Sequence, residues 1–322
     1  MVKVNSWSKI IAVVFFVVLL IIYSGSVFRR YLVNDDYLAL YTAWLKSTDK
    51  ISGVDFHVDS YSIIIDLLTP VIGIFPDSMI SLYVSRFFYL FILIIITFQL
   101  YGIIRKIFGE FAGYFSVLAM LSTTTMLVRA LDIRPDLIII ACWLGLFSIF
   151  IDKENFYRNK QLIFSGVLFS LAILCKFKAA IIGGPLLLVF LVHAVRDSRS
   201  AKENCVSILI VSASILVCVG LYLFYIFLID DIAFYFDTNF SLIGGIAAGD
   251  IKAQFSAMRT LMQAAEHNSL FAFLTATGIC SWYINYRKFS FEHNLFLVSV
   301  LLCAMLSVAL NPGYFAYNLT VL

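Results

Sequence analysis

Residues 80–103 read ISLYVSRFFYLFILIIITFQLYGI, with one charge, Arg86, inside the run and Arg105 and Lys106 just behind it. At ~1.5 Å of rise per helical residue, a run of this length reaches across a hydrocarbon core of ~30 Å. Its apolar residues are continuous where a barrel strand would alternate, so the pattern predicts a transmembrane helix. Comparable runs predict spans near 10–28, 110–128, 136–152, 161–175, 179–195, 205–229, 269–286 and 294–310. The stretch Tyr61–Phe75 carries Asp66 and Pro70. It reads as a re-entrant or interfacial helix, with a tenth span as the alternative. Composition agrees: the chain is 62% hydrophobic and 13% charged, with mean hydropathy +0.96, whereas soluble domains lie closer to half apolar. The expected fold is an all-α polytopic membrane protein, one transmembrane domain over residues 1–322 with about nine or ten spans.

Charge sets the expected orientation. With a cytoplasmic N-terminus, the inner segments carry twelve basic residues against six acids, and the outer ones eleven against fourteen. The basic residues crowd short inner loops and are dilute in long outer ones, the form the positive-inside rule takes. A secretory signal ending near Ser24-Gly25-Ser26 is the alternative reading of the start, opposed by the length of the apolar run and the arginines behind it. The six cysteines lie in or beside spans with no Cys-x-x-Cys spacing, which suits packing thiols. Asn239-Phe-Ser and Asn318-Leu-Thr are sequons on the outer side. The end, Asn311 to Leu322, reads as a loop opening a further span, so a truncated C-terminus is expected.

Two outer loops stand out by length, residues 29–79 (the first) and 230–268 (the fourth), and long ordered loops tend to carry function. The first contains Asp35 and Asp36, followed by Tyr37, Leu40, Tyr41 and Trp44 at helical spacing. An aromatic face of that kind suits the headgroup boundary of a bilayer. In the fourth, Ile251, Phe255, Met258 and Met262 oppose Lys252, Gln254 and Arg259, which reads as a second interfacial helix or one packed on the bundle.

The polar residues of interest gather at the outer ends of the spans: Asp35, Asp36, Asp55, His57, Arg86, Asp132, Arg134, Asp136, Lys176 and Lys178. Charge is almost absent from the middle of the spans, which argues against an ion-coupled carrier, since such carriers keep charges at the membrane centre for function. A surface site is favoured. Moving a sugar off a lipid phosphate needs cations for the departing phosphate and a carboxylate to take the acceptor's proton. Asp35 or Asp36 fits the base, and Arg134, Lys176, Lys178 and Arg86 the donor phosphate. Asp136, Asp132, Asp55 and His57 fit an acceptor-binding or second-acid role. Plainer roles compete for the same residues: Asp35 as a helix cap, Lys176 and Lys178 as snorkelling span ends, and Arg129, Asp132, Arg134 and Asp136 as a surface ion-pair cluster.

The order of these features resembles the GT-C superfamily of polyprenyl-phosphate-sugar glycosyltransferases, in its aminoarabinose transferase and protein O-mannosyltransferase-like branch. The likeness rests on the acid pair after span one, Asp55–Tyr61, Arg86 opening span two, Asp132-Ile-Arg-Pro-Asp136 opening span four, and Leu174-Cys-Lys-Phe-Lys178. It covers roughly residues 1–195, and the rest in topology alone. The resemblance implies a GT-C-like bundle, a catalytic acid in the first outer loop and an inverting transfer from a lipid-monophosphate sugar. The acceptor would be a lipid, glycan or protein on the extracytoplasmic face of an inner (plasma) membrane. The family pattern is often Asp-Glu, and this chain has Asp-Asp. Membrane lipids are expected partners and nucleic acid is not. No cofactor is called for outright, and a divalent metal, Mg or Mn, is left open. The rival readings are a glycan flippase, a polymerase using lipid-diphosphate donors, and a non-catalytic scaffold.

Overall fold

The computed structural model describes residues 6–30, 32, 34–52, 54–56, 63–76, 79–151, 158–177, 179–185, 192 and 201–238. Between 277 and 302 it describes 277–280, 282–284, 286–289, 291, 294–295 and 297–302. The expected helix in 251–265, about half of each of the spans 179–195, 269–286 and 294–310, and the chain end lie outside these residues. Among the described residues the chain is helical, with one isolated bridge between Ser52 and Phe56 and no strand.

The helices in order are α1 (Ser6–Arg29), α2 (Asn34–Ser47), α3 (Ile63–Ile74), α4 (Met79–Phe108), α5 (Glu110–Ser122), α6 (Thr124–Arg129), α7 (Pro135–Ile151), α8 (Asn159–Cys175), α9 (Ala179–Ile182) and α10 (Ala201–Ile229). Two of them, Met79–Phe108 and Lys202–Ile229, are long and apolar enough to cross a bilayer by length and composition. Leu209, Leu216, Leu221, Phe224 and Phe227 of α10 stand exposed, as do Ile10, Phe15, Ile21 and Phe28 of α1. Long apolar faces left exposed on that scale belong in lipid. This is an all-α membrane protein.

The central helix is α4, which packs against α1, α3, α5 and α7, while α8 bridges α7 and α10. Its buried stripe includes Tyr89, Leu93, Ile96 and Ile103. Close approach uses small residues. A Cβ on Gly166 would stand 2.5 Å from Ser214 Cβ and 2.9 Å from the Val211 carbonyl oxygen, so α8 and α10 meet nearly backbone to backbone. The α4–α5 corner turns on Gly109, whose φ of 95° is open to glycine at no steric cost.

The expected continuous span 110–128 is instead two helices. Thr123 adopts an extended φ,ψ of −66°, 138°, and its side chain accepts a 3.3 Å hydrogen bond from Met126 N. A hydroxyl offering the backbone that alternative breaks a helix and starts another. The carbonyl of Leu121, near the end of α5, accepts from Tyr23 Oη of α1 at 2.9 Å. Within the expected stretch Tyr61–Phe75, Ile63–Ile74 folds as α3 with Pro70 inside it, a short helix packed on α2 and α4.

Candidate active site

The site grows from the junction of α1 and α2. Arg86, eight residues into α4, has a fully buried side chain. Its Nη1 donates to the carbonyl oxygens of Val27 (3.2 Å) and Arg30 (2.9 Å), and its Nη2 to Asp36 Oδ2 (2.9 Å). A guanidinium can make these contacts together because its donors form a fixed planar fork. Two of them satisfy carbonyls at the end of α1, and the third neutralises a carboxylate in the first turn of α2, where the helix dipole also favours negative charge.

Asp36 reaches further. Its Oδ1 accepts from the backbone N of Ile133 at 2.7 Å, across ninety-seven positions of sequence. That bond brings the first loop onto the turn between α6 and α7. In this turn Asp132, also buried, meets Arg30 through Oδ1. Its Oδ2 lies 3.4 Å from Arg129 Nη1 and 3.8 Å from Arg134 Nε. Burial pushes the Asp132 carboxyl up to about 6, aided by the nearby charge of Asp36 and opposed by Arg30 and Arg129. Burial likewise works against the charge of Arg30, which Asp132 and Asp36 support.

Four arginines thus surround two aspartates, leaving a local excess of positive charge. The two aspartates are fully buried, while Arg129 is 34% exposed and Arg134 14%. Lys176, at the end of α8, lies 3.4 Å from Asp136 at the start of α7, and both are partly exposed.

Of the residues predicted from sequence, Asp36, Arg86, Asp132 and Arg134 therefore come together, with Lys176 and Asp136 as a neighbouring pair. Arg86 is engaged at the buried centre. Asp55 is exposed and closes its own turn by accepting from Ile51 N at 2.9 Å. The Asp35 side chain, His57 and Lys178 lie outside what is described. Among the described residues no group of three or more His, Cys, Asp or Glu is disposed to hold a metal ion.

Sequence reasoning missed two features. Arg30 looked like a charge following span one, yet it is the closest cation to Asp132. The second is a buried cluster of Lys46, Asp66 and Asp230. A signal for it was present in the lone Asp66 of an apolar run, which called for a buried cation.

A family model described as dolichyl-phosphate-mannose-protein mannosyltransferase matches residues 67–230. The chain belongs to that family. It is therefore a glycosyltransferase of the GT-C type, as the resemblance implied. The match takes in Arg86, Arg134 and Asp136 and begins after the acid pair, so the first-loop acids lie outside it. No curated protein and no solved structure matches the chain.

Proposed function

We propose that this mannosyltransferase-family protein moves a sugar from a polyprenyl-phosphate donor to a lipid, glycan or protein acceptor on the extracytoplasmic face. The bundle would be GT-C-like, with nine or ten spans. The observation carrying this reading is the bond from Ile133 N to Asp36, which joins the acid-bearing first loop to the arginine-rich turn before α7. A carboxylate and cations at one locus are what the transfer needs.

The acid pair divides the work. Both oxygens of Asp36 are occupied, by Arg86 and by Ile133 N–H, so Asp36 serves as the fixed orienter. Asp35, its neighbour in sequence, is the base. It takes the proton as the acceptor's oxygen or nitrogen attacks the anomeric carbon from the face opposite the phosphate. The bond from that carbon to the phosphate oxygen breaks, the configuration inverts, and the lipid monophosphate leaves with the electron pair. Arg134 and Lys176, both partly exposed, offset the charge gathering on that phosphate. A positioned base contributes on the order of 10²–10⁴ in rate.

The test measures sugar transfer from a polyprenyl-phosphate mannose in proteoliposomes, beside thermal stability. Asp35→Asn is expected to lower kcat by about a hundredfold or more with Tm unchanged. Arg134→Ala is expected to raise the donor KM. An Asp35→Asn protein with full turnover would remove the base, and unchanged donor dependence would leave Arg134 a structural residue. Mass spectrometry of co-purifying lipids tests the donor class, and a bound lipid diphosphate in place of a phosphopolyprenyl sugar would overturn it.

A further inference from the structure

The buried cluster of Lys46, Asp66 and Asp230 lies at the opposite end of α2 from the acid pair. Lys46 Nζ is bonded to Asp66 Oδ1 and, at 2.6 Å, to Asp230 Oδ2, and all three side chains are almost fully buried. Tyr222 Oη of α10 donates to Asp66 Oδ2 at 2.5 Å. The backbone N of Ser52 donates to Asp230 Oδ1 at 2.9 Å. Four segments thus converge: the end of α2, the turn after it, α3 and the end of α10, where the fourth outer loop begins.

The helix α2 packs along α3, with Ala39 and Leu40 half-buried against the core. Among the described residues its fully buried side chains besides the ionic ones are the small Thr42 and Ala43, while Tyr37, Tyr41 and Trp44 face outward as a stacked ladder with centroids 5.7 and 5.9 Å apart. The helix is turned inside out relative to a soluble one, with Asp36 and Lys46 inward and its rings outward. Small buried residues set no unique rotation, whereas buried ion pairs have a few allowed geometries. A rotation by one residue turns a helix by about 100° and would carry both ends off their partners. Buried ion pairs add little net stability over apolar packing, and register is the best-attested role for them.

We propose that Lys46, Asp66 and Asp230 are positioning residues, a buried ionic latch that fixes the register of α2 and joins the first outer loop to the start of the fourth. Arg86 holds the first turn of α2 and Lys46 its last, about 15 Å apart along the axis. The acids are carried on a rod pinned at both ends. The catalytic consequence rests on the transferase reading above; the latch itself does not.

Two readouts on the full chain keep those apart. In proteoliposomes with a polyprenyl-phosphate mannose, Lys46→Met is expected to lower kcat about tenfold with donor KM within about twofold, because the phosphate-facing cations are untouched. Lys46→Arg, which keeps the charge, is expected to recover at least about half of the turnover. Limited proteolysis of the first loop reads the latch without activity. Cleavage is expected to be about tenfold faster in Lys46→Met and near wild type in Lys46→Arg. Should Lys46→Met not fold, Asp230→Asn, which keeps an oxygen for Ser52 N–H, takes its place in both assays. A wild-type cleavage rate in the charge-removed variant overturns the latch. An active wild type whose variant is cleaved faster yet turns over normally overturns its positioning role. A wild type that transfers no sugar overturns the transferase reading and leaves the proteolysis result to decide the latch.

Discussion

Asp132 carries a titration that can be followed. Its carboxyl titrates at about 6, above the ordinary 3.8, because burial penalises its charge more than Arg30 and Arg129 favour it. In the unfolded chain the group ionises near its ordinary value, so between about pH 4 and 6 the folded state holds the proton and the unfolded state does not. The contribution is fully present below about pH 4 and is lost as pH rises through 6. Its size is on the order of 3 kcal/mol. Thermal melts of wild type and Asp132→Asn across pH 4–7 test this. The wild type is expected to lose stability over that window relative to the variant, and parallel curves would show that Asp132 does not titrate there. The same residue marks the limit of reading a line of letters. Asp132 with Arg129 and Arg134 was legible as an ion-pair cluster because the residues are neighbours in the chain. Arg30 and Asp36 were not assignable to it, because a contact across about a hundred positions leaves no periodicity.

Helices were read best where lipid dictates them. The apolar runs 80–103, 136–152, 161–175 and 205–229 appear as the helices α4, α7, α8 and α10, of which α4 and α10 are long and apolar enough to cross a bilayer, which leaves little but a continuous apolar helix. The reading failed at 110–128, where hydropathy is indifferent to the Thr123 hydroxyl that caps α6. The α8–α10 contact yields a prediction of its own. At Gly166 even a methyl would press on Ser214 Cβ and on the Val211 carbonyl, and the backbone atom cannot swing aside. Gly166→Ala is therefore expected to destabilise by about 1–3 kcal/mol, read as a lower Tm in detergent. Gly184→Ala, with nothing within 4 Å of its Cβ, serves as the control. Equal melting of the two variants would mean that α8 and α10 have room to separate.

The charge asymmetry of the chain acts across the bilayer and predicts its orientation. Basic residues in short loops hold their side in the cytoplasm during insertion. Single cysteines replacing Asp55 and Lys160, both exposed, in a background lacking all six native cysteines, are expected to react from opposite sides of the membrane. An impermeant maleimide should label position 55 in intact cells and position 160 only after permeabilisation, and the reverse pattern would invert the molecule and its site. By itself the sequence determined that the chain is helical, that it belongs in lipid, and which charged residues gather at span ends. Hydrophobic transfer and backbone hydrogen bonding act on each segment separately, so each segment reports them. Tertiary structure alone decided that Arg86 is spent on Asp36 and on the end of α1, that Arg30 turns to Asp132, and that Lys46 is shared by Asp66 and Asp230. Each of those charges is stable in a dry interior through a partner brought from elsewhere in the chain, and partner choice is a property of packing.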